Sequence, residues 1–166
     1  MSPKLRLFLP LFLVLLLADC TTKELAESHL VVPHLPHEVL GETVRLTLAY
    51  NEGASFSTSI GPLTRPVLIV VALVILAGLL RMLVQAAPQD RLRVAALALI
   101  MGGAVGNLLD RLASPLGVVD FIDIGIGGTR FFIFNVADVG VCVGAILLAW
   151  TLWQEDRREV PAEGVT

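Results

Sequence analysis

The chain has 166 residues, 55% of them apolar and 16% charged, with a mean hydropathy of +0.80. That is too apolar for an ordinary water-soluble domain and holds several runs long enough to cross a bilayer, so the chain reads as a polytopic membrane protein. A formal net charge of -3 with no basic patch interleaved with aromatics argues against a nucleic-acid partner.

The first span is expected at 5–20; its apolar run, ending at Ala18, starts beside Lys4 and Arg6 and holds one proline, Pro10. It resembles a signal-peptide core ending in Leu-Leu-Leu-Ala-Asp-Cys. Asp19 stands directly before Cys20, where a cleavage site needs a small neutral residue, so the run is read as a retained first span. From 21 to 65 the chain is polar and mixed. The alternation from Thr43 to Tyr50 has the period of two expected of strands, which predicts a small extramembrane β-rich element. The second span is expected at 66–84, roughly 28 Å long at about 1.5 Å per residue. The third, 94–110, carries Gly102, Gly103 and Gly106, where another backbone can approach closely. A glycine-containing loop, 111–135, leads into the fourth span, 136–153, whose Trp150 and Trp153 suit a membrane interface. The tail, 154–166, is charged. Cys20 and Cys142 have no metal-ligand spacing and read as buried thiols rather than a disulfide.

The expected fold is therefore a single all-α membrane domain of four transmembrane helices with a small extramembrane β-rich element, which the family resemblance given below makes a periplasmic cradle. An even number of spans puts both termini on one side. Lys4, Arg6, Arg81, Arg91, Arg93, Arg157 and Arg158 all fall there, which makes that side cytoplasmic. The β-like segment and the 111–135 loop then face outward.

Polar residues gather at the outer ends of the spans, and ionisable groups at membrane depth are expensive enough to suggest function. Asp120 and Asp138 are separated by a loop rather than a helical repeat, so they can meet across a cleft. Two adjacent carboxylates do not both ionise easily; one keeps its proton while the other takes a proton from water. Such a pair hydrolyses an amide without metal or cofactor.

The remaining groups have plainer readings. Asp110 beside Arg111 suggests a structural ion pair, and Asp123 is expected to face solvent. Asn107 and Asn135 read as hydrogen-bonding struts, with Asn135 or Asp138 a candidate cap for the fourth span. Asp19 and Lys23, four apart, can pair across one helical turn. His29, His34 and His37 sit in the polar segment without a second ligand cluster, and no His-Glu-x-x-His occurs, so no metal site is expected. Ser55, Ser57 and Ser59 lack the Gly-x-Ser-x-Gly setting of a hydrolase nucleophile. An alternative is a carboxylate-lined proton or ion path, but that needs polar groups through the membrane depth, and the span centres are apolar. A scaffold built on the glycine face leaves the two aspartates without a task.

Taken together, the chain resembles the lipoprotein signal peptidases, the type II signal peptidases of bacteria, over nearly its whole length. The matching pieces are Asp19 and Lys23, NEGASFS at 51–57, GGAVGNLLDR at 102–111, VVDF at 118–121 and FNVAD at 134–138. The resemblance implies an aspartic endopeptidase of the bacterial inner membrane that cleaves the signal peptide from a prolipoprotein just before its diacylglyceryl-modified cysteine. It places the catalytic pair on Asp120 and Asp138. Site-supporting or substrate-binding roles fall on Asp19, Lys23, Asn51, Gly53, Asn107, Asp110, Arg111 and Asn135. It implies no cofactor, a monomer, diacylated prolipoproteins and membrane lipid as partners, and a cradle in the β-like segment. Two departures stand out: Cys20-Thr21-Thr22 where a glutamine often leads into threonine and lysine, and a slightly longer approach through Ser114-Pro115 to VVDF.

Overall fold

The computed structural model describes residues 2–53, 63–126 and 129–159. The 54–57 part of NEGASFS, Ser59, Gly127, Gly128 and the tail from 160 lie outside the described residues. Four helices, α1 (Pro3–His29), α2 (Thr64–Gln85), α3 (Arg91–Ala113) and α4 (Val136–Glu159), are each long and apolar enough to cross a membrane. Val14, Leu17, Val74, Val84 and Ile146 are all more than half exposed on their outer faces. An apolar surface of that extent requires lipid around it.

Helix α3 is the hub of the bundle. Its most apolar stretch is 56% buried, against 11% for α1 and α2, because it packs on each of the other three helices. Phe8 of α1, Leu79 and Leu83 of α2, and Leu97 and Met101 of α3 form the core. The expected glycine face is real. A Cβ on Gly103 would run into the carbonyl oxygen of Ala137, and one on Gly106 into the carboxylate of Asp19. Close backbone approach of α3 to α1 and α4 depends on these residues.

Helix ends are satisfied by cations from other elements. Lys4 Nζ donates to the carbonyl oxygens of Leu83, Val84 and Ala86 at 2.8, 2.9 and 3.0 Å. At the opposite end of the bundle Arg65 donates to those of Arg111 and Leu112 at 2.6 and 3.1 Å. Positive charge on orphan C-terminal carbonyls satisfies them and complements the helix dipole.

Four antiparallel strands, β1 (His37–Leu40), β2 (Val44–Asn51), β3 (Val118–Ile126) and β4 (Thr129–Arg130), form one sheet in that order. Leu48, Val119 and Phe121 bury their side chains against Ala26 and Leu30 at the end of α1. The sheet thus rests on one end of the bundle.

Four expectations change here. The polar segment after residue 20 is helical as far as His29, since the Asp19–Lys23 pair and the Ala26 and Leu30 contacts continue α1 past its apolar run. The 111–135 segment, expected as a loop, carries strands β3 and β4. Asp123 is buried, 4% exposed, with Arg45 Nε 3.2 Å away, Arg130 Nε 2.9 Å away and Thr47 Oγ1 3.0 Å away. Cys20 and Cys142 are free but exposed, on helix faces directed away from the bundle.

Candidate active site

The end of α4 nearest the sheet is built first by its own sequence. The Asp138 N–H donates to Asn135 Oδ1 at 2.9 Å, and the Asn135 N–H donates to Asp138 Oδ2 at 3.1 Å. This reciprocal capping box starts the helix and fixes both side chains. Just before it, Phe134 exchanges backbone hydrogen bonds with Ile122 at 2.8 and 3.0 Å. That bridge lays the entry to α4 along β3 and brings Asp120 beside the cap.

Asp120 and Asp138 consequently share one neighbour and one cleft. Asn135 Nδ2 lies 2.7 Å from Asp120 Oδ1 while the Asn135 main chain holds Asp138. Both aspartates line a cavity of 570 Å³ with Asn51, Asn107, Arg111 and Phe132. Asp120 is 3% exposed; Asp138 is half-buried.

Three asparagines present N–H groups to these carboxylates, and each is oriented by a donor on its oxygen. Gly53 N–H donates to Asn51 Oδ1 at 2.9 Å, leaving Asn51 Nδ2 to donate to Asp120 Oδ2 at 3.1 Å. Lys23 Nζ donates to Asn107 Oδ1 at 2.9 Å, leaving Asn107 Nδ2 to donate to Asp138 Oδ1 at 2.8 Å. Asn135 is oriented by the Asp138 N–H, as above. A carboxamide suits these positions because it accepts on one atom and donates on the other. Gly53 has φ +106, a conformation that favours glycine.

Beneath this layer lies a buried ionic cluster. Lys23 Nζ has Asp19 Oδ2 at 2.7 Å, Asp110 Oδ2 at 2.8 Å and Asn107 Oδ1 at 2.9 Å, one oxygen for each ammonium proton. Asp19 Oδ1 accepts the Ala137 N–H at 2.9 Å, and Asp110 Oδ2 accepts the Val119 N–H at 3.3 Å. The cluster therefore ties α1, α3, α4 and β3 together. The pairing of Asp19 with Lys23 is as expected, but Asp110 pairs with Lys23 and not with Arg111. Arg111 Nη1 turns back to the Asn107 carbonyl at 2.9 Å, and the residue lines the cavity.

Burial pushes the Asp120 carboxyl up from its ordinary 3.8 to about 6. The Asn51 hydrogen bond opposes this, the Asp138 charge adds to it, and Asn135 and Lys23 pull it down. Asp120 therefore keeps its proton to a higher pH than an ordinary carboxyl.

All ten residues expected at the site converge at this end of the molecule. Sequence reasoning did not single out Phe132, which walls the cavity together with Phe134 of the FNVAD motif; the aromatic cluster preceding Asn135 was the available signal.

A model of the signal peptidase (SPase) II family matches residues 11–154. The chain is 35% identical to a lipoprotein signal peptidase of Hydrogenovibrio crunogenus over 92% of this chain and 88% of that one. It is 37% identical to a lipoprotein signal peptidase of Geobacter metallireducens over 96% and 98%. Its fold is similar to that of a bacterial membrane enzyme solved by the in meso method at 2.3 Å, with a TM-score of 0.80 at 26% identity over 95% of this chain and 93% of that chain. On the match along most of its length, the chain belongs to the signal peptidase II family of aspartic peptidases.

Proposed function

We propose that Asp120 and Asp138 are the catalytic pair of this aspartic endopeptidase, and that it cleaves diacylated prolipoproteins just before the lipid-modified cysteine. The observation that carries this reading is the Asn135 bridge, which holds the two carboxylates in one cleft at the end of a lipid-facing bundle. Asp120, buried and with its pKa raised, serves as the acid. Asp138, half-buried and holding two N–H donors, serves as the base.

The signal helix enters from the bilayer, with the acyl chains of the modified cysteine remaining in lipid, so the scissile amide arrives at cleft level. Asp138 takes a proton from water as its oxygen attacks the carbonyl carbon. Asp120 gives its proton to the carbonyl oxygen. Collapse of the tetrahedral intermediate breaks the C–N bond, the cysteine nitrogen leaves with the proton held by Asp138, and Asp120 recovers one from the collapsing hydroxyl. No metal or cofactor enters the scheme.

The chain is placed in a bacterial inner membrane with both termini cytoplasmic and the cleft periplasmic. Lys4, Arg6, Arg81, Arg91 and Arg157 support this, all lying at the end of the bundle away from the cleft. The four-stranded sheet is then a periplasmic cradle against the membrane surface. The test is a strain lacking this protein: uncleaved, diacylated precursors should accumulate and disappear on complementation. Normal processing in its absence contradicts the proposal.

A further inference from the structure

At the far end of the bundle, the first turn of α1 and the connection into α3 wall a cavity of 370 Å³. Lys4, Arg6 and Arg91 line it with Pro3, Pro88 and Val94, and no acid does. These cations come from segments far apart in sequence, so their convergence is a product of the fold.

The three differ in how they are held. Lys4 is anchored on three carbonyl oxygens of the α2 terminus, which fixes a charge at the cavity wall. Arg6 and Arg91 are exposed, and among the described residues neither guanidinium has an ion-pair partner. The nearby acids are engaged elsewhere: Asp90 caps α3 and pairs with Arg93 Nε at 3.4 Å, and Glu155 pairs with Arg93. Helix α1 is capped by the neutral Ser2 and carries no acid in its first turn, so its positive end adds to the field.

The setting is amphipathic. Leu5 and Leu9 of α1, one turn apart and flanking Arg6 in sequence, are exposed, so an apolar strip runs down α1 from its charged end. We propose that the cavity binds the phosphodiester headgroup of an anionic phospholipid. Arg6 and Arg91 grip the phosphate, Lys4 supplies a fixed charge, and the acyl chains run down the exposed leucines. A soluble anion would meet the same charges and gain nothing from that apolar strip. The site lies about 22 Å along α1 from Asp19 at about 1.5 Å per residue, so its failure and that of the proposed catalytic pair are separable.

The test is ligand binding by native mass spectrometry and thermal shift on the purified full chain, with phosphatidylglycerol, phosphatidylcholine and inorganic phosphate as probes. Phosphatidylglycerol should bind and raise the melting temperature, and phosphatidylcholine should not. Arg91→Gln should weaken phosphatidylglycerol binding about fivefold, and Arg6→Gln/Arg91→Gln about 30-fold, the loss expected for removing one and two cations at a membrane surface. The lipid-free melting temperature should be unchanged, because neither side chain has an internal ion pair to lose. Equal binding of the two lipids, or equal binding of phosphatidylglycerol by wild type and double variant, overturns the proposal. Inorganic phosphate binding as tightly as the lipid, with the same arginine dependence, overturns the lipid assignment.

Discussion

The side-chain nitrogen of Asn135 lies 2.7 Å from Asp120 Oδ1 in a fully buried position. The same residue accepts from and donates to Asp138 through the helix cap. One asparagine therefore sets the spacing of both proposed catalytic groups. Asn135→Ala should lower kcat by roughly 10–100-fold, the loss expected when a buried acceptor is left without its donor, and should weaken the start of α4. Steady-state cleavage of a lipidated precursor measures this; kcat within a factor of two of wild type would remove Asn135 from the positioning role.

The pH dependence follows from Asp120. Its proton is lost above about pH 6 in the free enzyme, so kcat/KM should fall as pH rises through that value. The limb on kcat should lie higher, because bound substrate removes further water from the carboxyl. The Asn51 hydrogen bond holds the carboxyl down, so Asn51→Ala should move the limb to higher pH. A limb that stays in place would separate Asn51 from the titration.

Stability and activity should part company at Asp120. The folded carboxyl has its pKa raised from 3.8 to about 6, so the native state binds more protons between those values. Stability contributed by this group falls as pH rises through that window and stays lower above it. Asp120→Asn should then unfold at a higher temperature than wild type at neutral pH, by about 1–2 kcal/mol after allowance for rearranged hydrogen bonds. Denaturation in matched detergent reads this directly, and a lower melting temperature at neutral pH contradicts it.

Lys23 is the reverse case. It is 4% exposed, and two acids lean on it. Lys23→Met would leave Asp19 and Asp110 unpaired and release Asn107, at a cost of about 3–5 kcal/mol. A melting temperature close to wild type would show that the cluster holds little of the fold together.

Asp123 should matter to the sheet and not to the chemistry. Burial pushes its carboxyl up, but hydrogen bonds and charge from Arg130, Thr47 and Arg45 outweigh that and hold it below 3.8. Its contribution is present above the ordinary carboxylate range and lost as pH falls through the depressed value. Asp123→Asn should lower the melting temperature at neutral pH while leaving the position of the kcat/KM limb unchanged. A shifted limb would place Asp123 in the catalytic network.

Much of this was legible in the chain. Span positions followed from apolar runs, and the close approaches at Gly103 and Gly106 from residue size. A shared cleft for Asp120 and Asp138 followed from the loop, rather than a helical repeat, that separates them. Strand β3 was not legible as a strand because Asp120 and Asp123 interrupt its apolar residues, three positions apart, so alternation is broken on both faces. The length of α1 was hidden because hydropathy fades at Asp19 while helical pairing continues. Asp110 was matched to its neighbour Arg111, yet its true partner, Lys23, lies on another helix and is fixed only by packing.

The most direct measurement is cleavage of a diacylated prolipoprotein in detergent by wild type, Asp120→Asn and Asp138→Asn. Each variant should bind substrate and lose cleavage by at least about 10³-fold, since each removes one partner of an acid–base pair acting as a unit. Substantial cleavage by either variant would contradict the assignment of that aspartate to the chemistry.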